Sequence, residues 1–579
     1  MLGARSFRNC FRLSPIFVSL AISMIPAYGQ EPSAASGKTD NLGSVQASKG
    51  VISGRVLRDD GEPFIGKIVT VYPAAQNNPS IKDSSYVSVG TDGEGNFKTP
   101  EIDYGVYRVR AEVPGYVERE LNDSLQKLLS GSLHRPGEFV NIVLVPGGAI
   151  TGKITDKQGR PLVSVVVSAT RVRDPNGIAD PQLLHRFERR TDDRGIYRIY
   201  GLPSGSFTVC TSGASGNSAN AREVPECYPS GPMGAAQEVA VTVGNTTANV
   251  DIRHDQRPGY SVSGKVTGLS PGGSSLNFSV FRLDSGMLVA SSDYFRSDIT
   301  SYAVPGLTDG DYLVQATQIS ASQKQGIFAS SAAPRRFTVK GGSVAGVDVV
   351  FRPASGLSGK VTMAYSDPPL ACSPSARPGP DSLGISLLPA IPNDYIFRQI
   401  LKDFAPSFKG ELAIGGIPSG KVRIGVELPG DSWYIKEFSM PVPAIKKPLR
   451  VSAAGWINLQ SGTRVDDLAL VVSDGAAQLS GQAAIAEVGR AFLVPADKEL
   501  VTDLSRYYEV NGHGGQFDFK NIAPGKYYLL WKSGESKEIT TPEALEPSNR
   551  VALLKSAIAT GKEIELIPCQ KKVGVKLGK

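Results

Sequence analysis

His185-Arg186-Phe187-Glu188 has the His-x-x-Glu spacing that zinc hydrolases use for two metal ligands. The chain has 4 histidines, so a third ligand would come from His254 or His513, with His134 lying upstream of the pair. Zinc hydrolysis also needs an open coordination position, a general base and a large rigid frame to hold them. Repeats of β pattern take up nearly all of this chain, and the His185 pair sits where a polar loop would lead into a hairpin at Thr191. Asp92 with Glu94, and Asp192 with Asp193, are calcium ligands by residue type. Calcium takes roughly six to eight oxygens. These loops offer that many only with heavy use of backbone and water, and aspartate is an ordinary turn residue. No catalytic, cofactor-binding or metal-ligating residue is therefore assigned, and no cofactor is expected.

Exposed aromatic pairs could stack on sugar rings: Tyr104 with Tyr116, Tyr197 with Tyr200, and Trp433 with Tyr434. Neighbouring residues on a strand point to opposite faces, so one ring of an adjacent pair belongs to the core.

These side chains must be placed by the elements around them, and the address comes first. Arg5, Arg8 and Arg12 precede an apolar run from Pro15 to Ile25, followed by Ala27-Tyr28-Gly29 and then polar Gln30-Glu31. A basic start, a short apolar stretch and a small-x-small site read as a secretory signal peptide over residues 1–29. The run is well short of the roughly 20 apolar residues a membrane span requires, and no later stretch is long and apolar enough. Losing three arginines and no acids takes the formal charge from +7 to +4. Such a small surplus, without clustered Lys and Arg, argues against a nucleic-acid surface. Residues 30–48, rich in Ser, Ala and Gly, read as a flexible linker.

Of 5 cysteines, Cys10 leaves with the leader. Export permits the other four to form disulfides. Cys210 and Cys227 bound a short loop of Gly, Ser and Asn, and a local bridge is the simplest connectivity. It would contribute about 3 kcal/mol on the chain-entropy estimate. The alternative is two free thiols, and Cys372 with Cys569 is the other candidate pair.

With 63 Gly and 40 Pro against 20% charged residues, the 579-residue chain has the composition of short strands joined by tight turns. Ser/Thr-Gly strand starts recur at positions 53, 151, 263, 358 and 480. That spacing is a domain period and not a solenoid period, so each unit can own a core. Thr91-Asp92-Gly93-Glu94-Gly95 and Thr191-Asp192-Asp193-Arg194-Gly195 are hairpin turns with a glycine free to take positive φ. Alternation follows each turn, as in Val106-Tyr107-Arg108-Val109. The glycine inside Ser-Gly-Lys-Val marks a bulge or a close inter-sheet contact. The predicted fold is all-β, a tandem array of about five Ig-/transthyretin-like antiparallel β-sandwich domains: 49–146, 147–256, 257–354, 355–474 and 475–579. The last carries a short helix within Pro542 to Ala559, with Asn549 as its cap.

Gly-Lys-Ile/Val, the Gly-x-Pro turn, Thr-Asp-x-x-Gly-x-Phe/Tyr and Leu-Pro-x-Gly-x-Phe together resemble the carboxypeptidase regulatory-like domain, a transthyretin-like seven-stranded sandwich also grouped with starch-binding-like folds. Gly54 with Thr91 to Phe97, and Gly152 with Thr191 to Phe207, carry the match. Cys227-Tyr228-Pro229-Ser230-Gly231 looks like exported bacterial relatives. The third repeat lacks the Gly-x-Pro turn, and the fourth has an insertion around Asp367 to Ile400. The fifth has Asn511-Gly512-His513-Gly514-Gly515 for the Thr-Asp turn. The resemblance implies an accessory or binding module with no catalytic residues to carry over. Lys153, Lys265 and Lys360 resemble the strand lysine of pilin-type domains that form internal isopeptide bonds, but no acid is seen to recur with them, so none is expected.

The expected protein is an exported, non-catalytic scaffold, spacer or adhesion protein, periplasmic, outer-membrane-associated or secreted. Its partner would be an unknown protein or polysaccharide of the cell envelope, with no nucleic acid and no membrane span in the mature chain. A carbohydrate-binding protein on the same fold is the alternative, and a zinc peptidase the third.

Overall fold

The structure, a computed structural model, describes residues 49–579 apart from 75–85, 120–132, 176, 178–185, 212–222, 233–235, 272, 285–287, 297, 321–327, 374–376, 390–403, 442–449, 453, 485–488, 513, 534–543, 545 and 578–579. The expected signal peptide and flexible linker therefore lie outside the described residues. The compact unit Ala47–Lys579 is an all-β, multi-domain array of sandwiches.

Period-two patterning builds each sandwich. Ile196–Leu202 turns Tyr197 and Ile199 inward and Ile196, Arg198 and Tyr200 outward. A register shift between Tyr200 and Leu202, at Gly201 with φ +72°, brings Leu202 back to the core. In the first repeat one sheet runs Asn96–Lys98, Ser53–Arg58, Phe139–Pro146, Tyr116–Glu118, and the other Val87–Gly90, Ile68–Pro73, Tyr107–Ala111, Leu133–His134. Ile52, Val56, Val69, Phe97 and Tyr107 fill the space between them. The third repeat departs from two separate sheets. Phe328–Ala332 pairs with both Gly310–Ser320 and Val349–Pro353, so its strands join into one eight-stranded sheet.

The sandwiches are mostly antiparallel, but in every repeat the first and last strands pair in parallel. Ser53–Arg58 pairs this way with Phe139–Pro146, Gly148–Thr155 with Ile252–Arg253, and Tyr260–Thr267 with Val349–Pro353. Ser355–Ala364 does so with Arg464–Asp474, and Ala477–Ala483 with Lys571–Leu577. This explains the recurring glycine. A Cβ on Gly54, Gly152, Gly264, Gly359 or Gly481 would overlap the backbone carbonyl oxygen of Val140, Val250, Val347, Leu468 or Val575 respectively. The close contact is thus with the last strand of the same sheet or the residues leading into it, not between sheets, and at Gly359 and Gly481 the register with that strand also shifts. On the other side, Phe97, Tyr197, Tyr302, Leu412 and Phe517 stand directly across from the five glycines. The hydroxyls of Tyr197 and Tyr302 donate to the same carbonyls, Val250 and Val347, at 2.6 and 2.8 Å.

A second device secures the turn into the next strand. Tyr107, Tyr312 and Tyr527 each donate to the backbone carbonyl four residues earlier, on Asp103, Thr308 and Ala523, at 2.7 to 2.8 Å. The second repeat has Phe207 there, and Arg171, paired across from it and 1% exposed, donates to the Ser204 carbonyl instead.

The C-terminal helix spans Pro547–Thr560 and sets Leu553 and Ala557 against Phe492, Val494 and Leu530. Glu546, not Asn549, is its N-cap, because Pro547 takes the first helical position, where a missing N–H costs nothing.

Although tandem in sequence, the repeats also meet out of order. Arg135, 7% exposed in the first repeat, donates through Nε and Nη2 to the Ser382 carbonyl of the fourth at 3.0 and 2.7 Å. Ala74, Val106 and Leu133 pack with Ala405 at the same junction. The fourth and fifth are joined by Asn521 Nδ2 on the Gly430 and Trp433 carbonyls at 2.7 and 2.8 Å, and by Arg506 Nη2 on the Lys436 carbonyl at 2.7 Å.

Candidate functional site

Of the His185-x-x-Glu188 pair, only Glu188 is among the described residues. His513 also lies outside them. Glu188 sits on the strand Arg186–Arg190 in an ion pair with Arg186 at 2.6 Å, and His134 Nδ1 meets Glu138 at 3.3 Å. Among the described residues no group of three or more His, Cys, Asp or Glu is placed to hold a metal ion.

His254 has a place that the sequence did not disclose. It is 2% exposed, with Nε2 2.9 Å from Glu223 Oε2 and Nδ1 3.2 Å from Thr211 Oγ1. Hydroxyl, imidazole and carboxylate thus stand in the order of a nucleophilic triad. The chemistry differs, because Thr211 is 1% exposed and its oxygen accepts the Glu226 N–H at 2.9 Å and lies 3.2 Å from the Glu226 carbonyl. The hydroxyl clamps backbone. Around it, Arg257 pairs with Glu226 at 3.1 Å, Val224 N–H donates to the Arg257 carbonyl, and His254 N–H donates to the Thr155 carbonyl. The cluster fastens the connection from the second repeat to the third against the segment that carries Cys227.

Of the carboxylates considered for calcium, Asp92 and Asp192 are engaged by backbone. Asp192 Oδ1 accepts the Arg194 and Ile196 N–H groups at 3.0 and 2.7 Å, and Asp92 Oδ1 those of Glu94 and Asn96 at 2.9 and 2.8 Å. The preceding threonines do the matching work inside. Thr191 Oγ1 accepts from Val165 N–H and donates to the Leu162 carbonyl, and Thr91 Oγ1 does the same with Lys67 and Phe64. The Ile196 N–H, ahead of other contacts, holds Asp192 below the usual carboxylate range, as the Asn96 N–H does for Asp92. The hairpins' carboxylate contribution is therefore complete above the ordinary aspartate pKa and disappears as pH falls through the lowered one. Asp192→Ala is expected to speed amide exchange at Arg194 and Ile196 at neutral pH while leaving Val209 protected. Unchanged exchange at Ile196 would contradict this role.

Two of the named aromatics are core. Tyr197 and Trp433 are each 1% exposed. Tyr116 packs edge-on against Phe64, and Tyr104 is half-buried near Arg135 and Asp381, at the junction of the first and fourth repeats. Tyr200 stays 41% exposed, with the Arg189 guanidinium 4.8 Å over its ring.

Acids do recur with two of the three lysines. Asp251 and Asp348 accept the backbone N–H groups of Lys153 and Lys265 at 2.7 and 2.8 Å. No local pattern marks them, because the two acids stand 98 and 83 residues along the chain from their lysines. Lys153, Asp251, Lys265 and Asp348 all face solvent.

Both candidate disulfides are present. Cys210 and Cys227 face each other across paired strands, 4% and 0% exposed. Cys372 joins Cys569 over a sequence separation of 197, linking the fourth repeat to the fifth. The insertion that carries Cys372 is wound around Asp474, which is 4% exposed. Its Oδ1 accepts the Ser366 N–H and hydroxyl at 2.9 and 2.7 Å, and Oδ2 accepts the Ser373 hydroxyl. Burial opposes the charge, but the serine hydrogen bonds outweigh it and hold Asp474 below the usual carboxylate range. No spacing rule in the sequence points to this cluster.

No protein-family model matches the chain, and no curated protein matches it. Among solved structures it is similar to a minor pilin of Streptococcus agalactiae, at 18% identity over 36% of this chain and 97% of that one, TM-score 0.20. A shaft pilin of Lactobacillus rhamnosus GG matches at 11% over 36% of this chain and 100% of that one, TM-score 0.16. The TIE protein of Bacillus anthracis matches at 10% over 75% of this chain and 76% of that one, TM-score 0.14. Scores this low carry no inference about what this chain does.

Proposed function

We propose that the chain is an exported, non-catalytic scaffold or adhesion protein of the cell envelope, with repeats bounded at 49–146, 147–256, 257–354, 355–474 and 475–579. One observation carries the reading. Repeats are fastened to one another by a buried arginine, a partly buried asparagine and a disulfide, through Arg135 to Ser382, Asn521 to Trp433 and Cys372 to Cys569, and do not merely follow one another on linkers. Interfaces of this kind suppress the domain motion expected of a loosely linked chain and hold distant surfaces at fixed separation. Two disulfides suit an oxidising compartment outside the cytoplasm. The motif residues support the same reading, since Thr91, Asp92, Thr191, Asp192 and the strand glycines are each engaged in holding the fold. The test is fractionation of the native host followed by cross-linking mass spectrometry. The expected result is a chain lacking residues 1–29, recovered with the envelope and cross-linked to a second envelope component. An intact leader on a cytoplasmic protein, or peptidase activity lost to a chelator, would sink the proposal.

A further inference from the structure

We propose that the Cys372–Cys569 disulfide is a redox site for a dithiol reductant, and that it latches the fifth repeat to the inserted segment of the fourth and thereby steadies the contact between the fourth repeat and the first.

The two disulfides differ in access. Cys210 and Cys227 are buried, inside the sheet that the His254 cluster closes. Cys372 and Cys569 are both partly exposed. Thiol–disulfide exchange needs a thiolate to reach a sulfur in line, so exposure decides which bridge is attacked in the folded protein.

The second observation is what the bridge touches. Cys372 N–H lies 3.3 Å from Cys569 Sγ, and Cys569 N–H donates to the Gly475 carbonyl at 3.1 Å, one residue beyond Asp474. Leu370 N–H donates to Ser373 Oγ, whose hydroxyl in turn reaches Asp474. Tyr365 donates to the Pro378 carbonyl at 2.7 Å, two residues ahead of the short 3-10 turn Pro380–Ser382. Ser382 then receives Arg135 of the first repeat. Within the inserted segment Cys372 therefore contacts the fifth repeat and Ser382 the first, with the buried Asp474 holding Ser366 and Ser373 on either side of Cys372. A tether that fixes one end raises the effective concentration of every contact behind it.

In the exchange, one thiolate of the reductant attacks a sulfur of the pair, and the S–S bond breaks as a mixed disulfide forms. The reductant's second sulfur then displaces the remaining protein sulfur. Two electrons and two protons pass to Cys372 and Cys569, and the reductant leaves as its own disulfide.

The test uses the mature full-length chain, dithiothreitol without denaturant, maleimide trapping and mass spectrometry. Cys372 and Cys569 are expected to be labelled on the order of tenfold faster than Cys210 and Cys227, which open only by local unfolding. Amide exchange should then rise from Leu370 to Ser373 and around Arg135, with the strands Arg464–Asp474 and Ala477–Ala483 still protected. Cys569→Ser should give the same exchange pattern without reductant. Equal labelling of the two pairs, unchanged exchange around Arg135 once Cys372 is reduced, or loss of protection in the core strands would each overturn the proposal. None of these outcomes depends on where the protein resides, so failure here would leave the scaffold reading to its own test.

Discussion

Gly152→Ala is expected to lower the stability of the second repeat by about 3 kcal/mol or more, the upper end for forcing an extra carbon into a packed site. The new methyl has no free rotamer to take. It would overlap the Val250 carbonyl oxygen, and the Tyr197 ring, 3.1 Å away, stands on the same side. That carbonyl is also the acceptor of the Tyr197 hydroxyl, so moving the last strand to make room disturbs a buried hydrogen bond as well. Because the repeats have separate cores, one melting curve would blur the effect, and residue-resolved amide exchange under urea is the better measurement. Protection should fall in Gly148–Thr155, Ile196–Leu202 and Ile252–Arg253, with the first repeat's Ile68–Pro73 unaffected. Gly342→Ala is the control, since a Cβ there has nothing within 4 Å and its φ is not positive. If Gly152→Ala behaves like Gly342→Ala, the close approach of the two strands is wrong.

Trp433→Ala is the other large effect expected, about 4 kcal/mol for a fully buried indole. Trp433 is 1% exposed and pairs with Asp474 across the sheet, and its ring meets Tyr365 edge-on at 5.8 Å. Its loss leaves a cavity under the segment that carries Cys372, and it loosens the strand whose carbonyl receives Asn521 of the fifth repeat. Exchange under urea should show the fourth repeat weakened most and the Asn521 junction next. Trp433→Phe, which keeps an aromatic ring against Tyr365, should recover much of the loss. A cost below about 1 kcal/mol, the typical effect of an ordinary substitution, would mean that the indole is not the packing centre its burial implies.

How far the chain could be read in advance follows the range of the interactions. The Thr-Asp-x-x-Gly hairpins were legible because their contacts are local, with Asp192 meeting N–H groups two and four residues on. Cys210 with Cys227 was legible for the same reason. The strand glycines were recognisable as a close-contact position, but what they contact is a strand about a hundred residues later, and direction of pairing leaves no local mark. Trp433-Tyr434 shows another limit. Alternation says that one ring is inside without saying which, and the indole turned out to be the buried one. Arg135 and Ser382 lie 247 residues apart and neither belongs to a motif, so their junction was not readable at all. Nor was the His254 cluster, where a histidine, a threonine and a glutamate from three separate segments meet only after the second repeat has folded.

The parallel pairing of first and last strands also fixes how each sandwich would carry a load. Its N-terminal strand begins at one end of the sheet and its C-terminal strand finishes at the other, so tension between the two termini runs along the strands. In the first repeat the ladder from Ser53 with Phe139 to Arg58 with Leu144 would then be loaded in shear, with its hydrogen bonds sharing the force. Peeling them one at a time would need a pull across the sheet.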